Sequence, residues 1–174
     1  LLSEIKKHSF KQTKLMVGGI SLFGDWRNVW RANFYLRGAT KVLVRFASFR
    51  AIHLSQLDKR SRKLDWGKLL NFKKPFKVET VCHKSKIYHS KAASQRISKA
   101  ISNKIDATED RNSGIIIKTR ISSDICTISL DSSGEGLHKR GYKIATGKAP
   151  IRETLAALFL PVSYTHLRAH ETIA

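Results

Sequence analysis

Residues 87–105 constrain the fold of this chain more than any other stretch. Ala93, Ile97, Ala100, Ile101 and Ile105 recur at helical spacing, while Lys91, Gln95, Lys99 and Ser102 fall on the opposite face. A helix with one apolar stripe must lay that stripe on another apolar surface, and the neighbouring segments supply one. Residues 76–83 (FKVETVCH) read as a strand before the helix. Residues 114–121 and 125–130 read as two strands after it, joined as a hairpin around Ser122-Ser123-Asp124. The order strand, long helix, strand, strand points to an α+β layer, with helices on one face of a small mixed sheet.

Upstream the pattern is more broken. Residues 1–10 read as the tail of an amphipathic helix, and 14–23 as a β-rich run in which Gly18-Gly19 permits a bend. Asp25 is placed to cap a helix carrying Trp26, Trp30 and Phe34 at i+4 spacing, a stripe expected to pack into the core. Arg31, Asn33 and Arg37 beside it are expected to be structural. Residues 41–49 alternate Val42, Val44 and Phe46 against Leu43, Arg45 and Ala47, as a strand would, and two short helices follow around the basic residues 58–63.

Charge then narrows the partner. Lys and Arg number 33 against 13 Asp and Glu, a formal net of +20. A folded body with that charge repels itself, and a polyanion relieves the repulsion while releasing counterions. Nucleic acid is the first candidate and an anionic membrane surface the second. No apolar run reaches the ~18 residues needed to span a bilayer, and the first residues do not read as a signal peptide, so none is expected. With 9% aromatic residues, expected to be buried, backbone and shape recognition is favoured over a stacking platform. Cys82 and Cys126 lie in apolar runs with no CxxC pairing, which fits a reducing cytoplasm.

Three basic clusters are candidates for phosphate contact. His83-Lys84-Ser85-Lys86 leads to His89 and Lys91 at the start of the long helix, where free N–H groups favour anions. His138-Lys139-Arg140 follows two glycines and reads equally as a phosphate grip or a solvated turn. Lys59-Arg60-Ser61-Arg62-Lys63 reads as a solvated helix face or a further contact. The assigned RNA-binding residues are Lys84, Lys86, Lys91, Lys139 and Arg140, with Arg96 beside them. Reaction templates fail: Gly134-x-Gly136 lacks the third glycine of a dinucleotide loop, Gly147-Lys148 lacks the rest of a P-loop, and the histidines show no metal-ligand pairing. No catalytic, cofactor-binding or metal-binding residue is assigned.

Two motifs carry a family resemblance. Residues 31–45 (RANFYLRGATKVLVR) are similar to an R-x-N-x-x-L-R-x-A-x-R-V-L-x-R stretch. Residues 128–142 (ISLDSSGEGLHKRGY), with APIRETLAA at 149–157, are similar to S-L-D-T-S-G-E-x-L-H-K-R-G-Y followed by A-P-L-R-E-T-L-A-A. Both resemble the THUMP-domain methyltransferases of bacteria that modify guanine N2 of large-subunit ribosomal RNA. The resemblance implies a ferredoxin-like part at 1–52 and a THUMP RNA-binding domain at 53–144. A linker and first helix at 145–160 would lead into a methyltransferase domain. It also implies S-adenosylmethionine as the cofactor of the full-length parent, ribosomal RNA as partner and a cytoplasmic location. The cofactor loop and catalytic motif of the family have no counterpart here, so this chain is expected to bind RNA without methylating it. Residues 161–174 resemble a translated sequencing adapter and are expected to be a non-native tail. A stand-alone RNA-binding or ribosome-assembly protein is the alternative.

Overall fold

The computed structural model describes residues 1–70, 74–110, 112, 114–141 and 147–161. Its elements in chain order are α1 (Leu2–Lys7), β1 (Thr13–Met16), β2 (Gly19–Leu22), α2 (Trp26–Tyr35), β3 (Leu43–Arg50) and α3 (Leu54–Arg62). They continue through a 3-10 turn (Trp66–Lys68), β4 (Lys77–His83), α4 (Ser90–Ile105), β5 (Ile116–Ser122), β6 (Ile125–Asp131) and α5 (Glu153–Phe159). These form two compact units, one made of Leu1–Val42 with Glu135–Ala174 and the other of Leu43–Gly134. The expected tail falls outside the described residues from 162 on, as do Tyr142 and the start of the expected linker.

The Leu43–Gly134 unit is the α+β layer anticipated from the helical stripe. Its sheet runs β3-β6-β5-β4, with β4 parallel to β5 and the other pairs antiparallel. The parallel pair needs a crossover, and α4 provides it. Ala93, Ile97, Ala100, Ile101 and Ile105 are all buried, and all but Ala100 share one cluster with Val78, Ile117, Ile121, Cys126 and Ile128 of the sheet and Leu57 of α3. Each isoleucine so buried contributes about 2 kcal/mol relative to exposure. Asp106, left-handed at φ 48°, ends the helix. Trp66 closes one side of this core, wholly buried and donating its indole N–H to the Ser61 carbonyl at 2.9 Å.

Two details depart from the simple pattern. The helix begins at Ser90, not residue 87, with His89 extended as its N-cap residue and Ile87 buried in the approach. In β3 the register shifts between Arg45 and Ala47. This bulge resets the alternation, so that Phe46 and Phe49 both pack against the core. Because β3 pairs along its length with β6, it belongs to this unit and not to the preceding residues.

The other unit has a smaller core of Ile5, Phe10, Ala32, Leu36 and Ala39, with Ile20, Leu22, Val42 and Leu137 packed against it. β1 and β2 form a hairpin turning at Gly18, whose φ of +80° suits a residue without Cβ. Asp25 caps α2 as expected, accepting the Asn28 N–H at 3.0 Å. The Glu4 carboxylate takes the backbone N–H groups of Arg37 and Gly38.

The aromatic stripe of α2 does not behave as expected. Trp26 is 50% exposed, Trp30 66% and Phe34 73%. The helix instead buries Ala32 and, just past its end, Leu36. Spacing identified one face correctly but not which way it turns, since small residues pack closer in a small core. The expectation that the aromatics are buried is corrected for α2, while Phe10, Trp66 and Phe76 are buried as expected.

Candidate nucleic-acid interface

β4 and β5 are parallel, so their C-terminal ends lie at the same edge of the sheet. There the β4–α4 connection meets the β5–β6 turn. Ser123 and Asp124 are both left-handed, at φ 49° and 64°, which makes the two-residue turn that suits a twisted hairpin. Asp124 Oδ1 accepts the Ser85 hydroxyl at 2.9 Å and the Lys86 backbone N–H at 2.8 Å, while Ser85 Oγ accepts the Asp124 N–H at 3.1 Å. The Lys86 N–H and the Ser85 hydroxyl hold the Asp124 carboxyl below the usual carboxylate range, with the charges of Lys86 and Arg50 adding to them. The staple fixes the backbone of the loop and leaves its cations outside. Lys84, itself left-handed at φ 44°, and Lys86 are exposed, as is Lys91 in the first turn of α4. The N-cap residue His89 makes no side-chain cap, so the first N–H groups of α4 receive none from it. Arg96 is exposed on the next turn, about 140° around the helix from Lys91.

The remaining two assigned residues belong to the other unit. Lys139 is exposed, with Glu135 3.5 Å away. Arg140 is differently placed. Its Nη2 donates to the carbonyls of Asn33 at 2.8 Å and Leu36 at 2.9 Å, its Nη1 to Phe34 at 2.8 Å and its Nε to Leu137 at 3.1 Å. Those carbonyls at the end of α2 lack helical partners, and a cation there also suits the helix dipole. Arg31 donates to the His8 carbonyl at 2.7 Å and lies over Phe10, and Asn33 bonds back to Val29.

Residues 1–43 match the family model described as the RlmL ferredoxin-like domain, ending where β3 begins. Over 171 residues the chain is 30% identical to the ribosomal RNA large subunit methyltransferase K/L of Desulfotalea psychrophila, covering 92% of this chain and 23% of that protein. Over most of its own length the chain is thus similar to RlmL-type methyltransferases. It is also 31% identical over 160 residues to YpsC of Bacillus subtilis, named among the RNA methyltransferases, covering 87% of this chain and 42% of that one. Among solved structures, a Listeria monocytogenes protein described as a predicted N6-adenine-specific DNA methylase superposes with a TM-score of 0.82 at 30% identity, covering 94% of this chain and 45% of the other. This RlmL-like chain therefore spans less than half the length of these relatives.

The RlmL-like chain has cationic residues that sequence reading did not single out. On the face of the sheet turned from α4, Lys118 and Arg120 of β5 stand beside Glu79 and Val81 of β4. Lys118 and Lys77 bracket Glu79, Lys77 at 2.9 Å, and hold its carboxyl down to about 2. The period-2 alternation was visible in the sequence, but the strand partner that aligns Glu79 with Lys118 was not. In the third cluster, Arg60 is spent on the Arg50 carbonyl and Arg62 on Asp58 at 2.9 Å, nearer the solvated-face reading. Among the described residues no group of three or more His, Cys, Asp or Glu could hold a metal ion, and no helix is long and apolar enough to cross a membrane.

Proposed function

We propose that this chain is the RNA-gripping part of a large-subunit ribosomal RNA methyltransferase that acts on guanine N2. In this reading the Leu43–Gly134 unit is its THUMP module and the other unit its ferredoxin-like part. The observation that carries it is the stapled loop, where Asp124 fixes Ser85 and Lys86 so that Lys84, Lys86 and Lys91 project around an uncapped helix start. Such an array neutralises phosphates without reading bases, which is what a docking module requires. Arg96 and Lys139 extend the grip, while Arg140 positions the turn that carries Lys139.

Methyl transfer is assigned to the remainder of the parent protein, with S-adenosylmethionine as donor. The residues described here do not fit that cofactor. The hollows of the surface are open and basic, one lined by Gln56, Lys59, Arg60 and Lys63, another by residues including Lys11 and Arg31. A sulfonium cation is repelled by such walls. Titration calorimetry of this chain with S-adenosylmethionine should give no binding heat.

The direct test is fluorescence anisotropy with a structured fragment of large-subunit ribosomal RNA, run against a DNA duplex of matching charge across a salt series. Lys84→Ala and Lys86→Ala should each reduce the slope of log affinity against log salt by roughly one unit. An unchanged slope in the double variant sinks the assignment. Preference for the DNA duplex would favour the DNA-methylase description given to the Listeria protein.

A further inference from the structure

The RNA reading does not use the exposed face of α2. An apolar face this large, turned outward from a ten-residue helix, normally marks an interaction surface. Trp26, Trp30 and Phe34 line it, and Arg27 and Arg31 are exposed on the same helix. The sequence of α2, WRNVWRANFY, contains no acidic residue, and the nearby Asp25 is engaged as the cap. The basic hollow named above, lined by Lys11, Phe23, Asn28 and Arg31, lies on another side of the helix, its α2 residues about 100° or more around from Trp30. Aromatic rings and cations thus alternate within one unit, without the involvement of the other.

We propose that this face of α2 stacks the bases of a single-stranded RNA segment, with Trp30 at its centre and Arg27 on the phosphates. Every base offers a π-face, so aromatic rings bind single strands with little regard to sequence, and adjacent cations hold the backbone. Successive stripe positions are about 6 Å apart along the helix axis. The charge argues against the other occupants. Two copies of a chain with net charge +20 repel each other, and a surface made of Trp, Phe and Arg complements a polyanion. The inference rests on the RNA reading but concerns a different surface and a different form of RNA from the lysines of the stapled loop.

The chain carries its own reporter. Of its three tryptophans, Trp26 and Trp30 are on this face and Trp66 is wholly buried. Titrating the whole chain with an oligouridylate of about 12 nucleotides should quench the exposed indoles, whereas an RNA duplex of equal charge should not. Trp30→Ala should weaken oligouridylate binding at least about fivefold and leave duplex binding unchanged. Trp30→Phe should retain most of the affinity, which loss of fold would not allow. Absence of quenching, or equal binding by Trp30→Ala, overturns the proposal. So does a Trp30-dependent shift to dimer in sedimentation, or Trp30-dependent flotation with anionic vesicles, in place of the RNA effect. If lysine-dependent binding to structured RNA persists while the indoles stay unquenched, this inference alone fails. If both are lost, the RNA reading itself fails.

Discussion

Arg140 and Lys139 are adjacent and both basic, and the sequence offers no reason to separate them. Four of the five N–H donors of the Arg140 guanidinium are spent on carbonyls at 2.8–3.1 Å. Lys139 faces solvent. Arg140→Ala should therefore destabilise the chain by about 2–3 kcal/mol, read by urea unfolding, with little change in the salt slope for RNA. Lys139→Ala should do the reverse. Glu79 gives a pH prediction at the same scale. Its folded carboxyl lies near 2 against an ordinary 4.5 because Lys118 and Lys77 flank it. A depressed pKa adds stability above the unfolded value and loses it as pH falls through the folded one. The pair is about a third exposed, so the gain is small, under about 1 kcal/mol. The stability gap between wild type and Glu79→Gln should close between about pH 4.5 and pH 2.

Among the elements, the β5–β6 hairpin does two jobs. Its turn needs two left-handed residues, and it is made of Ser123 and Asp124, neither of them glycine. Asn is the better residue at the first position, so Ser123→Asn should stabilise by roughly 0.5 kcal/mol. Asp124→Gly would relieve the backbone but remove the carboxylate that staples Ser85 and Lys86. Hydrogen exchange should then show a native sheet with a faster Lys86 amide, and RNA affinity should fall although no lysine has been touched. Equal exchange at Lys86 would show that the staple does not order the loop. The hairpin and its place after α4 were readable from alternation and turn residues. The partner of Asp124 was not, because Ser85 and Lys86 lie far from it in sequence and meet it only through the parallel pairing of β4 with β5.

At the scale of the whole molecule, the net charge of +20 acts on both folding and binding. Moderate salt should raise the thermal midpoint by screening self-repulsion, and should weaken RNA binding by the same screening. A polyanion such as the RNA fragment should raise the midpoint at low salt. By itself the sequence determined the α+β layer, because the stripe from Ala93 to Ile105 and the alternation in β4, β5 and β6 are local periodicities that each bury one face. It also determined the sign of the chain's own charge, because charge is additive and needs no fold. Only the tertiary structure decided the direction of the α2 stripe, the allegiance of β3 and the separate duties of Lys139 and Arg140. Those depend on which surface an element meets, and a helical period names a face without naming what lies opposite.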